Sequence, residues 1–150
     1  MVSAPTSRSL FSLCSMLLLL FLGTPALRAQ AFDLTIELET IRSARGKLMM
    51  SLFNSADGFP STHQKAMQIR QVPAQKGKMV VVFDGVPPGT YAVAVFHDEN
   101  GDGKLNSNAF GAPKEPWGAS NNVRPMFSAP SFKEASFRHQ QAGRITIQVK

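Results

Sequence analysis

The chain has one cysteine, Cys14, and none beyond it. A disulfide framework is therefore excluded, and whatever folds after residue 14 must be held by a packed core. A cysteine nucleophile is excluded with it. Histidine is also scarce. His63, His97 and His139 lie far apart, and none has the spacing of a metal-ligand pair. Neither a G-x-S-x-G element nor a Ser-His-Asp arrangement is visible, so the reading is of a non-enzymatic protein. No sustained helical period occurs. Basic residues form no run and accompany no nucleic-acid motif, which argues against a nucleic-acid partner.

No acid precedes Asp33. Before it, Arg8 gives a short positive region, and Leu10 to Leu22 is almost purely apolar. Gly23, Thr24 and Pro25 break that run, and Ala29-Gln30-Ala31 fits the small-residue rule for cleavage. This is the layout of a secretory signal peptide. It predicts a leader over residues 1–31, cut after Ala29 or Ala31, and an exported, periplasmic or extracellular chain. The apolar run falls short of the roughly 20 residues a membrane span needs, so no stable membrane insertion is expected after cleavage. Cys14 sits inside the apolar core behind Leu13, which is not a lipid-attachment context. Loss of Arg8 and Arg28 with the leader lowers the net charge from +6 to +4.

Residues 32–150 read as one all-β domain. Phe32 to Glu39 alternates apolar and polar at every step, the pattern of a half-buried strand. Ser43 to Gly46 reads as a turn, and Lys47 to Asn54 as a strand with Leu48, Met50 and Leu52 on one face. Met67, Ile69 and Val72 suggest a weaker strand, and Met79 to Phe83 a strong one. A Pro87-Pro88-Gly89 connection then leads into Tyr91, Val93 and Val95 on a common face. Gly89 is expected at a positive-φ turn position. Tyr91 is expected to send its hydroxyl back to that turn. Ala135 to His139 and Arg144 to Lys150 complete the set. The expected architecture is an Ig-like or transthyretin-like antiparallel β-sandwich of about seven short strands. Residues 111–130, rich in Pro, Gly and Asn, read as one long ordered loop.

One motif carries chemistry. Asp98-x-Asn100-x-Asp102-Gly103 matches the first half of a calcium-loop pattern. Calcium is a hard cation that takes several oxygen ligands, and these residues place side-chain oxygens at alternate positions of a tight curl. Gly103 permits the turn, the Lys104 carbonyl falls at a backbone-ligand position, Leu105 where such loops anchor to a core, and Asn106 where a ligand arrives through water. The twelfth position is Ala109, not the bidentate Glu of an EF-hand, and a strand precedes the loop. Asn108, Glu115 or loop carbonyls would have to complete the shell. Affinity is expected in the range of roughly 10⁻⁴ to 10⁻³ M. The same residues also build plain Asx turns with no metal. Trp117, beside Asn121 and Asn122, is the second candidate, able to stack on a sugar or peptide or else to pin its loop to the sandwich. Phe110, Phe127, Phe132 and Phe137 read as core or loop anchors. The expected partner is an envelope protein or a glycan.

The elements Gly85-Val86-Pro87-Pro88-Gly89-Thr90-Tyr91 and His97-Asp98-Glu99-Asn100-Gly101-Asp102-Gly103-Lys104-Leu105 resemble the bacterial family called domain of unknown function 2141. So do Gly111 to Gly118, Ser120-Asn121-Asn122 and Ala129-Pro130-Ser131-Phe132. The resemblance implies an exported β-sandwich and assigns no activity.

Overall fold

A computed structural model describes residue 1 and residues 30–150. The expected leader falls almost entirely outside the described residues. Among the described residues, no helix is long and apolar enough to cross a membrane.

Eight strands form: β1 (Phe32–Ile41), β2 (Lys47–Phe53), β3 (Gln68–Pro73), β4 (Gly77–Val86), β5 (Gly89–Asp98), β6 (Trp117–Ala119), β7 (Phe137–His139) and β8 (Gly143–Gln148). One four-residue helix, α1 (Phe132–Ala135), and two 3₁₀ turns, His63–Lys65 and Ser120–Asn122, join them. Ser131 caps α1 through a reciprocal box with Glu134. The strands make two sheets, one ordered β4-β1-β8 and the other β3-β2-β5-β6, with β7 also paired to β5. The all-β sandwich is as the sequence periodicity indicated.

Leu34, Ile36 and Leu38 of β1 face Leu48, Met50 and Leu52 of β2 and Val93 and Val95 of β5 across the interior, with Phe83 and Ile147. All are buried, and each such side chain contributes about 1.5–3 kcal/mol on leaving water. This core replaces the missing disulfides.

Three features depart from the expected pattern. β8 runs parallel to β1, pairing Ile36 with Ile145 and Leu38 with Ile147, so the sandwich is not wholly antiparallel. β6 lies inside the Pro- and Gly-rich segment expected to be loop; three residues are too few to show a period. Gly89 does not take positive φ; Gly85 does, at 61°. Gly89 instead packs closely on Tyr91: a Cβ there would meet the ring and hydroxyl at 3.0 Å, a tight contact. The hydroxyl of Tyr91 donates to the Pro87 carbonyl at 2.8 Å, closing the turn as anticipated.

Outer edges are covered by side chains. Asn122 donates its amide to Thr146 O and accepts from Gln148 N, standing in for a neighbouring strand beside β8. Arg70 and Gln68 of β3 donate to Val82 O and Asp84 O of β4 in the same manner.

Candidate functional site

β5 is the spine of the site. From Tyr91 to Asp98 every residue is buried. Tyr91, Val93 and Val95 face the main core. Ala92 belongs to a second, smaller cluster on the other face, with Ala119 and Ala135, against which Phe59, Val123 and Phe132 pack. A strand apolar on both faces is covered on both faces. The unbroken run Tyr91-Ala92-Val93-Ala94-Val95-Phe96 is the sequence signal for this second layer.

Further along that outer face the covering layer parts, leaving a groove of about 860 Å³. Such a volume suits one drug- or lipid-sized molecule. Its floor includes Ala94, Phe96, Trp117 and Ala119. The short alanine side chains give it depth. It is lined further by Gly103, Lys104 and Leu105 of the acidic loop and by the segment from Pro125 to Pro130. Phe110 and Phe127, expected as anchors, are 94% and 95% exposed. They line this groove, as does Leu105, itself 38% exposed and not seated in the core. Phe132 and Phe137 are partly buried and pack as expected.

Trp117 is half-buried at the groove. Arg124 stacks on its ring at 4.2 Å, a cation–π contact, and donates to Lys150 O at 2.7 Å. Backbone bonds with Lys150 hold it further. Asn121 and Asn122 do not join it with free amides. Both take positive φ, at 60° and 54°. Asn121 donates to Glu134 O and Ser136 O, and Asn122 bonds β8.

The acidic loop curls as its spacing suggested. Gly101 and Gly103 adopt positive φ at 81° and 77°. Asp98 is 0% exposed and accepts from Gly101 N at 2.7 Å and Gly103 N at 3.0 Å; the Lys47 ammonium lies 3.8 Å away. Asn100, Asp102 and Asn106 close a ring: Asn100 donates its amide to both Asp102 and Asn106, and Asn106 donates to Asp102. Hydrogen bonds from Asn106 and from the Lys104 backbone hold the Asp102 carboxyl below its ordinary value. Glu115, buried, accepts from Glu99 N at 2.9 Å and Asn106 N at 3.0 Å and locks the loop from behind. Asn108 lies apart from the ring; its Oδ1 accepts from Phe110 N and Ala112 N.

Among the described residues no three His, Cys, Asp or Glu side chains converge. The oxygen set near the ring is Asp98, Asn100, Asp102 and Asn106, each of whose side-chain oxygens accepts a hydrogen bond within the loop. That set is hard, oxygen-only and low in charge. It fits calcium better than a transition metal. At the loop's root, Arg42 and Ser43 hydrogen-bond Glu99 and hold its carboxyl down at about 2. His97, fully buried, bonds Arg45 O through Nε2 at 2.6 Å, so it serves the fold.

The groove's polar members were not apparent in the sequence. His63 lies over Phe96, ring centroids 5.3 Å apart. Its Nδ1 is 2.7 Å from the hydroxyl of buried Ser51. Burial pushes the His63 imidazole below its ordinary value.

The chain belongs to the family described as "Uncharacterized protein conserved in bacteria (DUF2141)", whose model matches residues 36–148. No curated protein and no solved structure matched it.

Proposed function

We propose that this protein is an exported, non-enzymatic binding module that holds an apolar small molecule in the groove over Phe96 and Trp117. The loop Asp98–Asn108 would be its adjustable wall, ordered by a weakly bound calcium ion. One observation carries this reading: residues of the calcium-type loop, Gly103 to Leu105, line the same groove as the aromatic floor and the exposed Phe110 and Phe127. Two sequence features that looked unrelated thus meet at one place. Exposed aromatics around a concavity cost solubility unless something covers them. A glycan is a poorer match, because the Asn121 and Asn122 amides are taken up within the fold.

The test uses Nile red, a neutral apolar dye, with thermal melts in calcium, magnesium and chelator. Dye binding that falls in a Phe110→Ser/Phe127→Ser variant is expected. Binding near 10⁻⁴ M would make 1 mM calcium stabilise the protein by about 1.4 kcal/mol. This gain should vanish in Asp102→Ala and be absent in magnesium. No dye binding would overturn the groove; no calcium effect would reduce the loop to an Asx-rich turn.

A further inference from the structure

The groove is lined mostly by apolar side chains but is not electrically neutral. No Asp or Glu lines it, whereas Lys104 and His63 do. The loop's acids are turned elsewhere: Asp98 to backbone N–H groups, Asp102 into the Asn ring, Glu99 to Arg42, Glu115 to Glu99 N and Asn106 N. Lys104 makes no ion pair among the described residues, although the Asp102 charge is close enough to feel it.

His63 supplies a second polar group. The Ser51 hydroxyl is buried, and the one hydrogen-bond partner of its side chain among the described residues is His63 Nδ1, at 2.7 Å. A buried hydroxyl proton left without an acceptor is costly, so Ser51 donates and Nδ1 accepts. The neutral ring then carries its own proton on Nε2. That N–H has no partner among the described residues and belongs to a ring at the groove wall. The lowered protonation of His63 agrees with a neutral ring of fixed tautomer.

We infer that the groove's ligand is an amphipathic carboxylate: its apolar body lies on Phe96 and Trp117, and its head accepts from His63 Nε2 and pairs with the Lys104 ammonium. The inference rests on the reading of the groove as a binding site and adds the ligand's class. Charge complementarity selects it, since a cationic head would meet two donors and no acceptor side chain of opposite charge.

The probe is dodecanoate below its micelle concentration, compared with dodecanol, dodecyltrimethylammonium and butyrate. Displacement of Nile red and the fluorescence of Trp117, the sole tryptophan, report occupancy. Dodecanoate should bind about tenfold more tightly than dodecanol, the equivalent of one charge-assisted hydrogen bond. Lys104→Gln, an exposed change that leaves the core untouched, should remove most of that advantage, and Lys104→Arg should keep it. His63→Phe, which preserves the stack on Phe96 but not the N–H, should also weaken dodecanoate selectively. Butyrate should not compete. Equal binding of dodecanoate and dodecanol, or tighter binding of the cation, would overturn the head-group assignment while leaving the groove standing. Nile red bound but displaced by none of the three long-chain probes would overturn the ligand class alone. Failure of Nile red itself would remove the groove and this inference together.

Discussion

The carboxylate of Glu115 accepts the backbone N–H of Asn106 at 3.0 Å, joining the end of the acidic curl to the approach of β6. Its other oxygen holds Glu99 N at the curl's start, at 2.9 Å. One buried side chain therefore sets the mouth of a loop that both candidate functions use. Glu115→Ala would leave two backbone donors without their partner. It is expected to cost about 3 kcal/mol, with Glu115→Gln milder because one carbonyl acceptor survives. Urea unfolding followed by circular dichroism measures both; equal stability of all three proteins would refute the locking role.

Tyr91→Phe isolates the turn. The ring stays in the core and only the bond to Pro87 O is lost. A loss of about 1 kcal/mol is expected. Gly89→Ala should cost more than Tyr91→Phe, because its Cβ would press the Tyr91 ring at 3.0 Å. The double variant Gly89→Ala/Tyr91→Ala should recover part of the Gly89→Ala penalty, and additive losses would refute the contact.

Gly46 tests the support beneath the loop. It has φ of 66°, and a Cβ there would collide with the carbonyl of Asp98. Gly46→Ala is expected to destabilise by about 2 kcal/mol or more through strain and overpacking together. A melting temperature within error of the parent would show that the turn relaxes freely.

Acid should weaken the fold in two stages. His63 is held below its ordinary value of 6.5 by burial, so the unfolded chain takes up that proton first. The stabilisation is complete above that pH and declines as pH falls below it. Glu99 titrates at about 2 in the fold against an ordinary 4.5, chiefly through the Arg42 hydrogen bonds. Its contribution is present above 4.5 and is lost between there and about 2. Melting temperature plotted against pH should therefore bend gently near neutrality and steeply in acid. Arg42→Gln should flatten the second limb and leave the first.

The first strand announced itself because one of its faces is wet. Leu34, Ile36 and Leu38 alternate with Thr35, Glu37 and Glu39, and that period of two survives into the fold. What stayed hidden lacked a period or depended on distance. Nothing local in Gly143–Gln148 says that it will lie parallel to β1, 107 residues away in the Glu37–Arg144 pair. Trp117–Ala119 is three residues long and sits among prolines. The acidic curl was legible from Asp98, Asn100, Asp102 and Gly103, since a tight turn is a short-range object. The groove was not: His63 and Lys104 come from separate stretches of the chain and are brought together only as linings of one groove. Phe110 and Phe127 were misplaced because hydrophobicity alone cannot separate a residue that fills a core from one that frames a concavity.

The central position of β1 bears on the order of folding. It is flanked by β4 on one side and β8 on the other, so the first strand to be synthesised gains its second neighbour only when the last emerges. A chain arranged in this way keeps one sheet incomplete throughout its own synthesis.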